Sequence, residues 1–217
     1  MNVTLNPLSP LPDALRQPCR NGSGRRQRIG DYQIDRDALQ QFNELLERLD
    51  LKHPPLDCDQ VASAARQLVE APRPGRAPPC IQQRMRRAAS IDWMLTDPDW
   101  NITVAVSAMA AAMVVEYLRG NQTLIPNGLP VVGRLDDAIV IEASWPAVAL
   151  EVDNYLDFCR VRHIEAGLRG EPERHFGFGR ADWVVAARAE SQWIAHCRRV
   201  GGLSYVPAES AGRFRVN

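Results

Sequence analysis

Apolar residues recur every three or four positions over most of this chain, and strict alternation is almost absent. That period is the signature of amphipathic helices. The spacing of Leu39, Phe42, Leu45, Leu46 and Leu49 predicts a helix from about Asp35 to Leu51, ended by His53-Pro54-Pro55. A second helix is expected to start near Asp57 or Asp59, carry Val61, Ala64, Ala65, Leu68 and Val69, and stop at Pro72. A third spans about Pro79 to Leu95, with Ile81, Met85, Ala88 and Ile91 on its apolar face and Arg84, Arg86 and Arg87 on a basic one. From Ile102 to Val115 there is no charge, so this segment reads as a helix enclosed by others. A long helical segment follows from about Asp136 to Arg162, in which Pro146 is expected to make a kink or a break. A last helix runs from about Arg180 to Val200 and ends at Gly201-Gly202, before a closing strand or extended tail.

The first thirty residues show neither period and are rich in Pro, Asn, Gly and Arg, which predicts a flexible basic tail. The expected fold is all-α: six or seven helices around a buried central hairpin, with 31–217 as a single domain.

Composition narrows the function without choosing it. The chain has 217 residues, long enough for one sizeable core, and its 26 Lys and Arg balance 26 Asp and Glu. That balance argues against a nucleic-acid binder. Charge is segregated, however. Residues 72–90 carry five arginines and no acid, whereas residues 136–157 carry six acids and no base. The start of the chain lacks a basic n-region and an apolar h-region, so no signal peptide is expected, and no run is long and apolar enough to span a bilayer. The five cysteines are an odd number at wide spacing without a CxxC, which suits reduced thiols in a cytoplasmic setting. Neither a metal site nor a cofactor is expected from the spacing of His, Cys and acids. Only Lys52 of the basic residues is lysine, a bias that goes with a GC-rich bacterial genome.

The most distinctive stretch is YLRGNQTLIPNGLPVVGRLDD at 117–137. Tyr117, Leu124, Ile125, Pro126, Pro130, Gly133, Leu135, Asp136 and Asp137 match a spaced signature in which a helix ends in tyrosine, a proline-stiffened LIP bend follows, and a paired-aspartate segment opens the next helix. On those residues, about 97–160 of the chain resembles the YkvA-like family, a bacterial domain of unknown function. The resemblance implies a helical hairpin; it supplies no activity. The chain departs from the family's pattern at Asn121, Thr123 and Asn127, where acids are usual nearby.

Physical chemistry gives the motif a structural account. The prolines fix two φ angles, Gly133 allows positive φ or close backbone approach, and Asp136 or Asp137 can cap the next helix. Three functional readings compete beyond that. The favoured one is a non-enzymatic protein-binding surface on the stiff apolar bend, formed by Leu124, Ile125, Pro126, Pro130, Gly133, Asp136 and Asp137 together with Arg84, Arg86 and Arg87, as in a regulator, adaptor, immunity or defence component. The second is a metal-dependent hydrolase using Asp136 and Asp137. The third is peripheral membrane or nucleic-acid contact through the arginine-rich segments.

Overall fold

A computed structural model describes residues 8–17, 26–71, 77–120 and 123–203. These residues form an all-α fold of six α-helices with a single two-stranded ribbon. Where the sequence reads as one helical domain, the chain forms two compact units, Met1–Leu156 and Asp157–Asn217.

In the first unit, a 3-10 turn at Asp13–Arg16 precedes the antiparallel pair β1 (Arg28–Ile29) and β2 (Tyr32–Gln33). Then come α1 (Arg36–Leu49), α2 (Cys58–Glu70), α3 (Pro79–Thr96) and α4 (Ala105–Arg119). Helix α5 (Leu135–Arg169) begins in this unit and continues into the second.

The helix starts follow from their caps. The Asp35 carboxylate accepts the N–H of Asp37 at 2.8 Å and opens α1. Asp57 opens α2 with a reciprocal pair: its side chain accepts the Gln60 N–H at 2.7 Å, and its own N–H donates to Gln60 Oε1 at 2.9 Å. The stripe on α1 buries Leu39, Phe42 and Leu46 as its spacing requires.

Four expectations need correction. Residues 8–17 belong to the core and not to a flexible tail: Leu11 and Ala14 are buried, and the Ser9 N–H donates to Gln83 Oε1 at 2.7 Å. The rest of that basic segment, 1–7 and 18–25, lies outside the described residues. Second, α4 is not enclosed on all sides. Ala110, Ala111, Met113 and Val114 face the core, while Val104, Val106 and Met109 are exposed. The enclosed segment is instead the start of α5, where every residue from Leu135 to Ile141 is buried. Hydropathy misplaces it because two aspartates stand there.

Third, of the kink or break expected at Pro146, the break does not occur: α5 is one continuous helix. The proline is exposed, so the Glu142 carbonyl it deprives of a donor lies on the outer side of the helix. Fourth, α6 (Arg180–Leu203) runs through Gly201-Gly202 without ending there. The expected closing strand or tail at 204–217 lies outside the described residues.

Helices α4 and α5 are antiparallel, and two hydrogen bonds set their register. Ser107 Oγ donates to the Ala147 carbonyl at 2.7 Å near one end, and Tyr117 Oη donates to Asp136 Oδ2 at 2.8 Å near the other.

The second unit holds the end of α5, a 3-10 turn at Glu173–His175, and α6. Phe158, Phe176 and Phe178 stack in series with centroids 5.6–5.9 Å apart. Trp183 Nε1 donates to Asp157 Oδ2 at 2.8 Å, and Arg160 pairs with Glu190 at 3.0 Å. Past Glu190, α6 is exposed along its described side chains, Trp193 and Ile194 included.

Candidate functional site

The bend between α4 and α5 is built around one carboxylate. Asp136 is fully buried, and its Oδ2 accepts from Tyr117 Oη at 2.8 Å and from the Ile125 N–H at 3.1 Å. The Tyr117 hydroxyl in turn accepts the Leu124 N–H at 3.2 Å, and Tyr32 Oη donates to the Leu124 carbonyl at 2.9 Å. Leu124 and Ile125 are buried beside it. The LIP segment is therefore tied to the start of α5 by side chains from α4 and β2. Asp136 organises the bend, a larger role than the helix cap expected of it.

Asp137, also buried, has a weaker partner: Arg134 Nη1 lies 3.5 Å from its Oδ2. Neither Asp136 Oδ1 nor Asp137 Oδ1 has a hydrogen-bond partner among the described residues. Burial raises both carboxyls above the ordinary carboxylate range. For Asp136 the Ile125 N–H and the Tyr117 hydroxyl oppose that rise. For Asp137 the charge of Asp136 adds to it and Arg134 only partly opposes it, so the group is pushed up to about 7. Burial likewise raises the Tyr117 hydroxyl, which keeps it a donor. Asp136, with two donors, and Asp137, with one distant arginine, thus meet the same burial with unequal compensation.

Tyr117→Phe tests this arrangement. The ring contact with Phe42, 5.7 Å between centroids, survives in phenylalanine, while Asp136 loses its shorter hydrogen bond. A loss of about 1.5–3 kcal/mol in urea unfolding is expected. A variant as stable as the parent would show that the hydroxyl holds nothing.

The three arginines of α3 do not share a face. Residues two apart on a helix point about 200° apart, so Arg84 and Arg86 diverge. Arg84 is only 1% exposed. Its guanidinium contacts Glu142 Oε2 at 2.8 Å and donates to the carbonyls of Ser9 and Cys80, both at 2.9 Å. Arg87 lies over the Trp145 ring at 3.8 Å. Only Arg86 is exposed. The basic surface expected from these residues is thus reduced to one of them.

Arg86 faces a groove. Between α3 and the bend lies an open cleft of about 620 Å³. Ile81, Gln82 and Met85 form one wall with it, and Leu129, Pro130 and Val131 form the other. Gly133 and Arg134 complete the second wall. This wall is held by local constraint. The Val132 N–H donates to the Pro130 carbonyl at 2.8 Å, closing a three-residue turn around Val131. Val131 has φ 69, a left-handed conformation that β-branched side chains rarely adopt. Gly133 is required by close approach and not by positive φ: a Cβ there would lie 2.5 Å from the Asn127 carbonyl oxygen and 2.8 Å from that of Leu129.

Of the residues singled out in the sequence, Pro130, Gly133 and Arg86 meet at this groove. Leu124, Ile125 and Asp136 lie in the core, Pro126 is half-buried, and Asp137 sits behind Arg134. Arg84 and Arg87 are engaged elsewhere. Sequence reasoning missed Val131 and Arg134. The first has no sequence signal, since nothing in Pro-Val-Val announces a positive φ. The second stands inside the motif and could have been marked as the only base next to the paired aspartates.

Comparisons of the chain with protein-family models, with curated proteins and with solved structures return no match. The site must be read from its own chemistry. Among the described residues, no three of His, Cys, Asp and Glu converge as a metal would require. One oxygen of Asp136 is already committed to two donors. Among those same residues no helix is long and apolar enough to cross a membrane.

Proposed function

We propose that this protein acts by docking another protein, with the cleft between α3 and the Leu129–Arg134 wall as its receiving surface. The observation that carries this reading is Val131. A β-branched residue in the left-handed region costs about 1–3 kcal/mol and persists where surrounding structure enforces it, commonly at a ligand clamp. Here the strained residue lines an open, largely apolar cleft. Prolines flank the bend, so little backbone entropy is lost when a partner binds. A YkvA-like hairpin formed by α4, the bend and α5, in a bacterial cytoplasmic protein, belongs to the same proposal.

The test uses the strain directly. A photo-crosslinking side chain at Gln82, inside the cleft, is expected to give one discrete adduct in an extract of the source cells, whereas the same group at Gln40, exposed on α1, gives none. Val131→Gly is expected to stabilise the fold by about 1 kcal/mol, because glycine adopts the left-handed conformation without penalty. The same substitution should weaken the adduct. Equal labelling from Gln82 and Gln40 would remove the proposal.

A further inference from the structure

We infer that the groove receives an amphipathic helix of a partner protein whose flank carries carboxylates; this deepens, and rests on, the docking reading above. The charge of the groove selects the sign of its occupant. Arg86 and Arg134 line it from opposite walls, and no Asp or Glu is among the lining residues. A carboxylate between two guanidinium groups gains charge-assisted hydrogen bonds, while an ammonium there meets repulsion alone.

The shape of the groove selects a helix. Ile81, Gln82, Met85, Arg86 and Ala89 are one stripe of α3 spanning about 12 Å at the helical rise. That length matches two turns of a helix laid alongside, read at a three- and four-residue spacing. Ala89 is small enough for a backbone to approach, and the Met85 thioether adapts to varied side chains. The occupant is not an end of this chain: the segments outside the described residues carry a single acidic side chain, Glu209.

The groove's arginines differ in how they can be tested. Arg134 also faces Asp137, so changing it disturbs the buried pair. Arg86 is exposed, and reversing it leaves that pair untouched. The probes are synthetic helical peptides of one length, with leucines at three- and four-residue spacing and with Glu, Gln or Lys on the flanks. Binding is read by fluorescence anisotropy on the full chain at low and moderate salt.

The Glu peptide is expected to bind at least about tenfold more tightly than the Lys peptide, with the Gln peptide between them. Added salt should narrow the gap. Arg86→Glu should weaken the Glu peptide about tenfold and strengthen the Lys peptide. Equal affinities for the Glu and Lys peptides would overturn the inference while leaving the docking reading intact. Failure of every peptide, with the Gln82 adduct still formed, would overturn it in the same way; loss of the adduct as well removes both. Anionic vesicles that bind the parent and not Arg86→Glu, with no peptide bound, would overturn it in favour of a lipid surface. Self-association abolished by Arg86→Glu would overturn it in favour of a second copy of the chain.

Discussion

Replacing Gly133 by alanine is expected to cost about 3 kcal/mol of stability, one of the largest effects any single methyl can have in this fold. The added Cβ would meet backbone atoms, not the end of a flexible side chain: the Asn127 carbonyl oxygen at 2.5 Å, the Asn127 carbonyl carbon at 2.8 Å and the Leu129 carbonyl oxygen at 2.8 Å. To relieve these contacts the bend must move. It cannot move freely, because the Gly133 N–H donates to the Leu129 carbonyl at 3.0 Å and Val132 is buried at the position before it. The measurement is the urea midpoint at constant slope. Gly128→Ala is the control on the same bend, with no atom within 4 Å of its Cβ and no positive φ. It should be neutral or gain up to about 1 kcal/mol by restricting the unfolded chain. Matching losses in the two variants would show that the close approach at Gly133 is not what holds the bend.

The second large effect is a dependence of stability on pH, and Asp137 sets its sign. Its carboxyl is pushed from 3.8 to about 7 in the folded chain. Over the interval between those values the native state holds a proton that the unfolded chain has released. Stability from this group is therefore complete below about pH 4, falls as pH rises, and is lost once pH passes about 7. Most acidic groups in ion pairs do the opposite. Asp137→Asn keeps the shape and cannot ionise. The variant should match the parent near pH 4 and exceed it by roughly 2–4 kcal/mol at pH 8. The two carboxyls are neighbours and the charge of Asp136 adds to the rise at Asp137, so the titration is a property of the pair. Chemical unfolding of both proteins across pH 4–8 gives the two curves. Parallel curves would place the titration elsewhere.

Much of the fold was legible because its helices start and stop through local chemistry. The first helix opens at Asp35 as expected, the second takes Asp57 of the two caps open to it, Asp57 and Asp59, and Ile81, Ala88 and Ile91 are buried as their period required. What escaped was decided by contacts distant in sequence. Arg84 reads as a surface residue until Glu142, 58 positions later, and the Ser9 carbonyl are seen to surround it. The aspartates at the start of α5 lower its apparent hydropathy, yet Tyr117 and the Ile125 N–H make that segment habitable in the core. The candidate site divides the same way. Pro130, Gly133 and Arg86 were marked by residue type, whereas their meeting at one cleft depends on α3 lying against the bend.

The link between Arg84 and Ser9 has a consequence for how the protein tolerates trimming. A helical body drawn to begin at α1 would omit Ser9, and with it the acceptor on one arm of a buried guanidinium. The amino-terminal stretch is thus a keystone for the contact between α3 and α5, made by an arginine 75 positions away. A protease that clips between it and α1 would strike the interior while cutting only at the edge.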